Sequence, residues 1–141
     1  MKVAFEELTI PNNTHYLRDV REFVARMARR SSAKPEEENK IILAVDEAVS
    51  IIMKHAYRET PNGTISLEII ADKSKFQIII RDSGKSFDPG TIKEPDLGKY
   101  VKTGKKEGLG IYLMRRIMDE VSYDFINGVR NELRMTKYFK E

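Results

Sequence analysis

The sequence contains no cysteine, so it has neither a disulfide framework nor a thiolate metal site. No apolar run is long enough to span a bilayer, and the opening MKVAFEEL turns acidic within a few residues, reading as a strand rather than a secretory signal. A cytoplasmic location without membrane attachment is expected. An excess of one charge is also missing, since 25 Lys and Arg face 22 Asp and Glu, a net charge of +3. A nucleic-acid binder shows a sharper basic face and a stacking platform, so nucleic acid is not an expected partner despite a pI near 9.0. Internal repeats and low-complexity segments are absent. What is present suits one globular domain, residues 1–141, with a sizeable core.

The most strongly patterned stretch is PEEENKIILAVDEAVSIIMKHAY, residues 35–57. Pro35 suits the first helical position, and Glu36, Glu37 and Glu38 offset the helix dipole. Ile41, Val45, Ala48, Val49, Ile52 and Ala56 recur at three- and four-residue spacing and predict one buried face. A second stripe holds Lys40, Ala44, Glu47, Ile51 and Lys54. Taken alone it reads as a solvated face, except that an aliphatic Ile51 between charges implies a cover.

Around this helix the pattern predicts a strand over 3–10 and a helix to about residue 30, capped by Asn12 or Asn13. Strands follow over 64–70 and 76–81, where Ile78, Ile79 and Ile80 imply burial on both faces. A long irregular stretch over 82–107 precedes a helix over 108–121, and two strands, 122–126 and 132–139, close the chain. The expected fold class is α+β: a two-layer sandwich with a mixed, mainly antiparallel sheet and helices on one face.

Three places offer chemistry. In RDSGKSFDP, Asp82 ends a buried strand as a hydrogen-bond acceptor for an amino group, and Gly84 lets the backbone approach a ligand. In KKEGLGIYLMRRIM, Gly108 and Gly110 lie where free N–H groups of a helix start favour phosphate. Between them Lys93, Lys99, Lys102, Lys105 and Lys106 form a loop able to fold over an anion. Each alone reads as an ordinary turn, junction or solvated loop; together they are far more specific.

With these residues in order, the chain resembles the ATP-binding domain shared by gyrase, heat-shock chaperones, histidine kinases and MutL (the Bergerat-type fold). More narrowly, it resembles the anti-sigma-factor serine/threonine kinases of bacteria. The likeness covers nearly the whole chain, through LAVDEAVSIIMKHAY, RDSGKSFDP, EGLGIYLMRRIMDEVSY and NELRMTK. It implies that Asp82 holds the adenine amino group of ATP or ADP and that Gly84 shapes that pocket. It implies that Gly108, Leu109 and Gly110 wrap the phosphates, with Lys54 near them and Lys106 reaching them from the lid. Glu47 is implied as general base on a serine hydroxyl. Implied partners are a sigma factor, an anti-anti-sigma antagonist protein and a second copy in a homodimer.

The departures from the family pattern carry as much information. The family places an asparagine that ligates Mg²⁺ four residues after the glutamate, where this chain has Ile51. An aliphatic side chain cannot ligate a hard cation that demands oxygen, so no metal ligand is expected there. Ser86 replaces a common second glycine, and Glu107 stands where a small residue is usual. Two readings compete: a regulator that binds adenine nucleotide with impaired kinase chemistry, and a non-catalytic partner-switching module with weak or no ATP binding.

Overall fold

The computed structural model describes residues 3–59, 63–82, 109–126 and 130–140, with the backbone alone for 55–59, 109–111 and 125–126. The chain runs β1 (Ala4–Pro11), a 3-10 turn (Thr14–Tyr16), α1 (Leu17–Arg29), α2 (Pro35–Glu59), β2 (Thr64–Ala71) and β3 (Lys75–Asp82). It continues with α3 (Leu109–Ile117), β4 (Glu120–Ile126) and β5 (Arg130–Tyr138). The five strands form one sheet in the order β1-β2-β3-β5-β4. Every pairing among them is antiparallel, so the α+β expectation holds with a wholly antiparallel sheet.

The period of two along each strand assigns its faces. Ile65, Leu67, Ile69 and Ala71 of β2 and Phe76, Ile78 and Ile80 of β3 are fully buried, as is Met135 of β5. They form one core with Val20, Phe23, Val24 and Met27 of α1, Ile41, Ala44, Val45, Ala48, Val49, Ile52 and Met53 of α2, and Met114 of α3. The opposite sheet face is polar: Arg81 bridges Glu68 at 2.5 Å and Glu132 at 2.7 Å. Those hydrogen bonds, Glu68's first, push the Arg81 pKa up. Ile79 is nevertheless buried on that face, as the run of three isoleucines implied.

The helix ends follow from local chemistry. Asn13, rather than Asn12, caps the first turn, accepting from the His15 N–H at 2.9 Å. Ahead of α2, the Lys34 N–H donates to Glu37 Oε1 at 3.1 Å, the returning half of a capping box. Residue 121 was expected inside the third helix, but α3 stops at Ile117. The Asp119 N–H donates across to Thr136 O at 2.9 Å, and Val121 sits opposite Met135 in β4. The apolar residues 117, 118 and 121 fit a helical period, yet 121 and 123 also fit a strand's alternation, and sheet pairing decides.

Ile78 lies at the middle of the sheet core, so Ile78→Ala is expected to destabilise by about 3 kcal/mol in urea unfolding with an unchanged slope. A loss below about 1 kcal/mol would place this side chain outside the tightly packed core.

Candidate functional site

The sheet's inner face changes character at one end. Along β3 its residues run Phe76, Ile78, Ile80 and then Asp82; along β5, Met135, Leu133 and then Asn131. Asp82 and Asn131 pair in register, and Asn131 Nδ2 donates to Asp82 Oδ1 at 3.1 Å. The two are 8% and 1% exposed, so a carboxylate and an amide close a core that is otherwise aliphatic. Burying such groups is unfavourable unless they are hydrogen-bonded, and their register provides that bond. On the outer face, Arg81 ties Glu68 of β2 to Glu132 of β5 one residue earlier, fixing the three strands where Asp82 emerges.

Helix α2 packs against α1, α3 and β3. Its second stripe is not a plain solvated face. Ala44 is fully buried, Glu47 is half-buried, Ile51 is half-buried against the core, and only Lys40 and Lys54 are exposed. Ile51 is covered as its isolation among charges implied. On the α1 side, Arg21 holds Asp46 through Nε at 2.7 Å and Nη2 at 3.3 Å, which fixes the helix next to Glu47.

The direction of α3 follows from one groove. Glu37 and Lys40 of α2 line it together with Arg116 and Ile117 of α3. The start of α2 therefore meets the end of α3, and the helices run antiparallel. Of the residues singled out in the sequence, Asp82, Glu47, Lys54, Leu109 and Gly110 lie on described elements. Gly84, Lys106, Gly108, Ser86, Glu107 and the lysine-rich loop lie outside the described residues, as do the side chains of Ala56 and Leu109.

Asn131 was not singled out from sequence. Its signal was faint: a polar residue at the inward position of a closing strand, recognisable only once the register is known. Among the described residues, no cluster of three or more His, Asp or Glu is placed to hold a metal ion, and no helix is long and apolar enough to cross a membrane.

This arrangement, a five-stranded antiparallel sheet packed under helices with a buried polar pair at one strand end, defines the class. The model of the family described as "histidine kinase-like ATPase domain" matches residues 10–137, and the chain belongs to that family. Within it, serine-protein kinase RsbW of Bacillus subtilis (strain 168) is 33% identical over 94% of this chain and 84% of its own length. RsbW of Staphylococcus aureus (strain MW2) is 36% identical over 99% and 90%. These relatives place the chain in the branch of the anti-sigma-factor serine kinases. A solved structure, the SiaB–SiaC complex from Pseudomonas aeruginosa, contains the same fold at a TM-score of 0.56 and 12% identity, covering 94% of this chain and 89% of that one.

Asn131→Leu removes the donor to Asp82 at nearly constant volume and is expected to cost about 1–3 kcal/mol of stability. Asn131→Asp instead sets two carboxyls together, so one of them titrates at a raised pKa in the folded state. The variant's stability should be fullest below the ordinary carboxylate range and fall as pH rises through the raised value. A flat pH profile in urea melts would contradict the pairing.

Proposed function

We propose that the chain is an anti-sigma-type regulator that binds adenine nucleotide and whose kinase chemistry is impaired at Ile51. The observation that carries this reading is the position of Ile51: one turn after Glu47 on α2, half-buried against the core. An apolar side chain packed against the core is part of the packing and leaves no oxygen for a cation at that turn.

What the chain offers a purine on this reading begins at Asp82, a buried carboxylate at a strand end that accepts from Asn131; a carboxylate can accept several hydrogen bonds at once. On this reading Asp82 accepts from the adenine amino group and Gly84 lets the backbone pass close to the base. The N–H groups of Gly108, Leu109 and Gly110 at the start of α3 receive the phosphates, with Lys54 and Lys106 adding charge. Glu47 takes the proton of a serine hydroxyl on a partner protein. ATP supplies the phosphoryl group when bound. Mg²⁺ fits poorly, because the donor set beside Glu47 has an isoleucine where the family has an amide oxygen. Phosphoryl transfer depends on metal positioning, so slow or absent transfer is the expected consequence.

On the same reading the chain works as one domain, in the cytoplasm, as a homodimer, with a sigma factor and an anti-anti-sigma antagonist protein as partners. The match over most of the length of proteins named serine-protein kinase supports it. Ile51 equally favours a second reading, a partner-switching module that binds nucleotide weakly or not at all.

Calorimetric titration with ATP and ADP, with and without Mg²⁺, tests the first reading and separates it from the second. Binding should occur and change less than about tenfold with the metal, with little label transferred to serine from labelled ATP. Ile51→Asn should gain metal dependence. Tight Mg²⁺-dependent binding with turnover in the unaltered protein would overturn the impairment, and no binding at all would leave the partner-switching module.

A further inference from the structure

At the far end of the α2–α3 seam from the Glu47 turn lies a groove of about 330 Å³, lined by Glu37, Lys40, Arg116, Ile117 and Lys137. Its volume is at the lower end of the ligand-pocket range, and its wall carries three cations against one carboxylate.

What sets these cations apart is that three of them, from α2, α3 and β5, face one groove. Arg18, Arg21, Arg26, Arg30 and Arg81 each hold a carboxylate within 3.4 Å. Arg116 instead lies over the Tyr112 ring at 5.8 Å, an arrangement that steadies the guanidinium and leaves its N–H donors available. Among the described residues neither Arg116 nor Lys40 has an ion pair. Lys137 has only a loose one, at 3.7 Å from Asp119, whose carboxylate also accepts the Tyr138 N–H at 2.7 Å. Glu37 accepts the Lys34 N–H at 3.1 Å, so it is tied to the start of its own helix. Arg115 and Arg116 in the last turn of α3 also offset the dipole there, which explains a cation at this place but not three from separate elements around one groove.

The chemistry selects the occupant. Lys40, Arg116 and Lys137 come from α2, α3 and β5, with Ile117 among them and Leu43, 40% exposed, three residues along α2 from Lys40. A free phosphate would use the charges but nothing apolar. An extended segment alternating carboxylates with aliphatic side chains would use both. We propose that this groove is a docking site for an acidic, leucine-interleaved segment of a partner protein, separate from the nucleotide end of the same helix pair. Its cations are exposed or half-exposed, so they act mainly on encounter rate and selectivity, and their effect is screened by salt.

The test uses the full chain and a fluorescein-labelled peptide, acetyl-Glu-Leu-Glu-Glu-Leu-Glu, followed by anisotropy at rising ionic strength. Binding is expected at low salt, weakening as salt rises, and about tenfold weaker in Lys40→Glu/Arg116→Glu, with ADP affinity the same as in the parent. Lys40→Gln/Lys137→Gln, which spares the Arg116–Tyr112 contact, should weaken binding in the same direction and serves if the first variant fails to fold. No peptide binding at low salt, equal binding by both variants, or displacement by inorganic tripolyphosphate at matched charge would each overturn the proposal, the last in favour of a plain anion site.

Discussion

The site depends on the register between β3 and β5. It sets Asp82 opposite Asn131 at the end of the inner face and, in the same step, sets Arg81 beside Glu132 on the outer face. Because side chains alternate along a strand, a slip of one residue would send the buried carboxylate to solvent and an arginine into the core. The aliphatic ladder of Ile78 against Met135 and Ile80 against Leu133 resists that slip along its whole length. The hydrophobic core therefore determines where the polar pair stands, and the polar pair ends the core.

The long helix packs on the same sheet, against α1, α3 and β3. Its buried face and Arg21's two-pronged hold on Asp46 fix its rotation, and this rotation sets how far Glu47 and Ile51 are covered. A half-buried glutamate beside a half-buried isoleucine is a compromise between packing and chemistry. Isoleucine contributes burial where an amide would contribute an oxygen; on the proposed reading, the turn that strengthens the fold is also the one that offers a cation no ligand. The opposite end of α2 follows other rules: its first turn is satisfied by its own glutamates, and the cations across the groove are left to a partner.

Much of the architecture was legible in the sequence because it rests on periodicity. The period of α2 and the three consecutive isoleucines of β3 each pointed to the burial observed. The third helix was harder to bound, since Val121 fits a helical period with Ile117 and Met118 and a strand period with Tyr123, and the choice depends on pairing with residues 135 and 136 that no local pattern encodes. Asp82 was visible as a polar residue closing an apolar run, whereas Asn131 looked like any polar residue near a turn. Its meaning comes from a partner 49 positions away. The basic groove escaped the sequence for the same reason: residues 40, 116 and 137 share a wall only after three elements have packed.

The proposed nucleotide site requires that the Asp82–Asn131 strand end meet a purine. The side-chain amide signal of Asn131, followed by nitrogen-edited NMR during titration with ADP and, separately, GDP, reports on that meeting directly. A saturating shift with ADP and none with GDP is the predicted result, since in the same seating adenine turns its 6-amino group to the Asp82 carboxylate, whereas guanine turns its 6-carbonyl there and its own amino group elsewhere. An amide signal unmoved at saturating ADP, or one moved equally by both nucleotides, would contradict it.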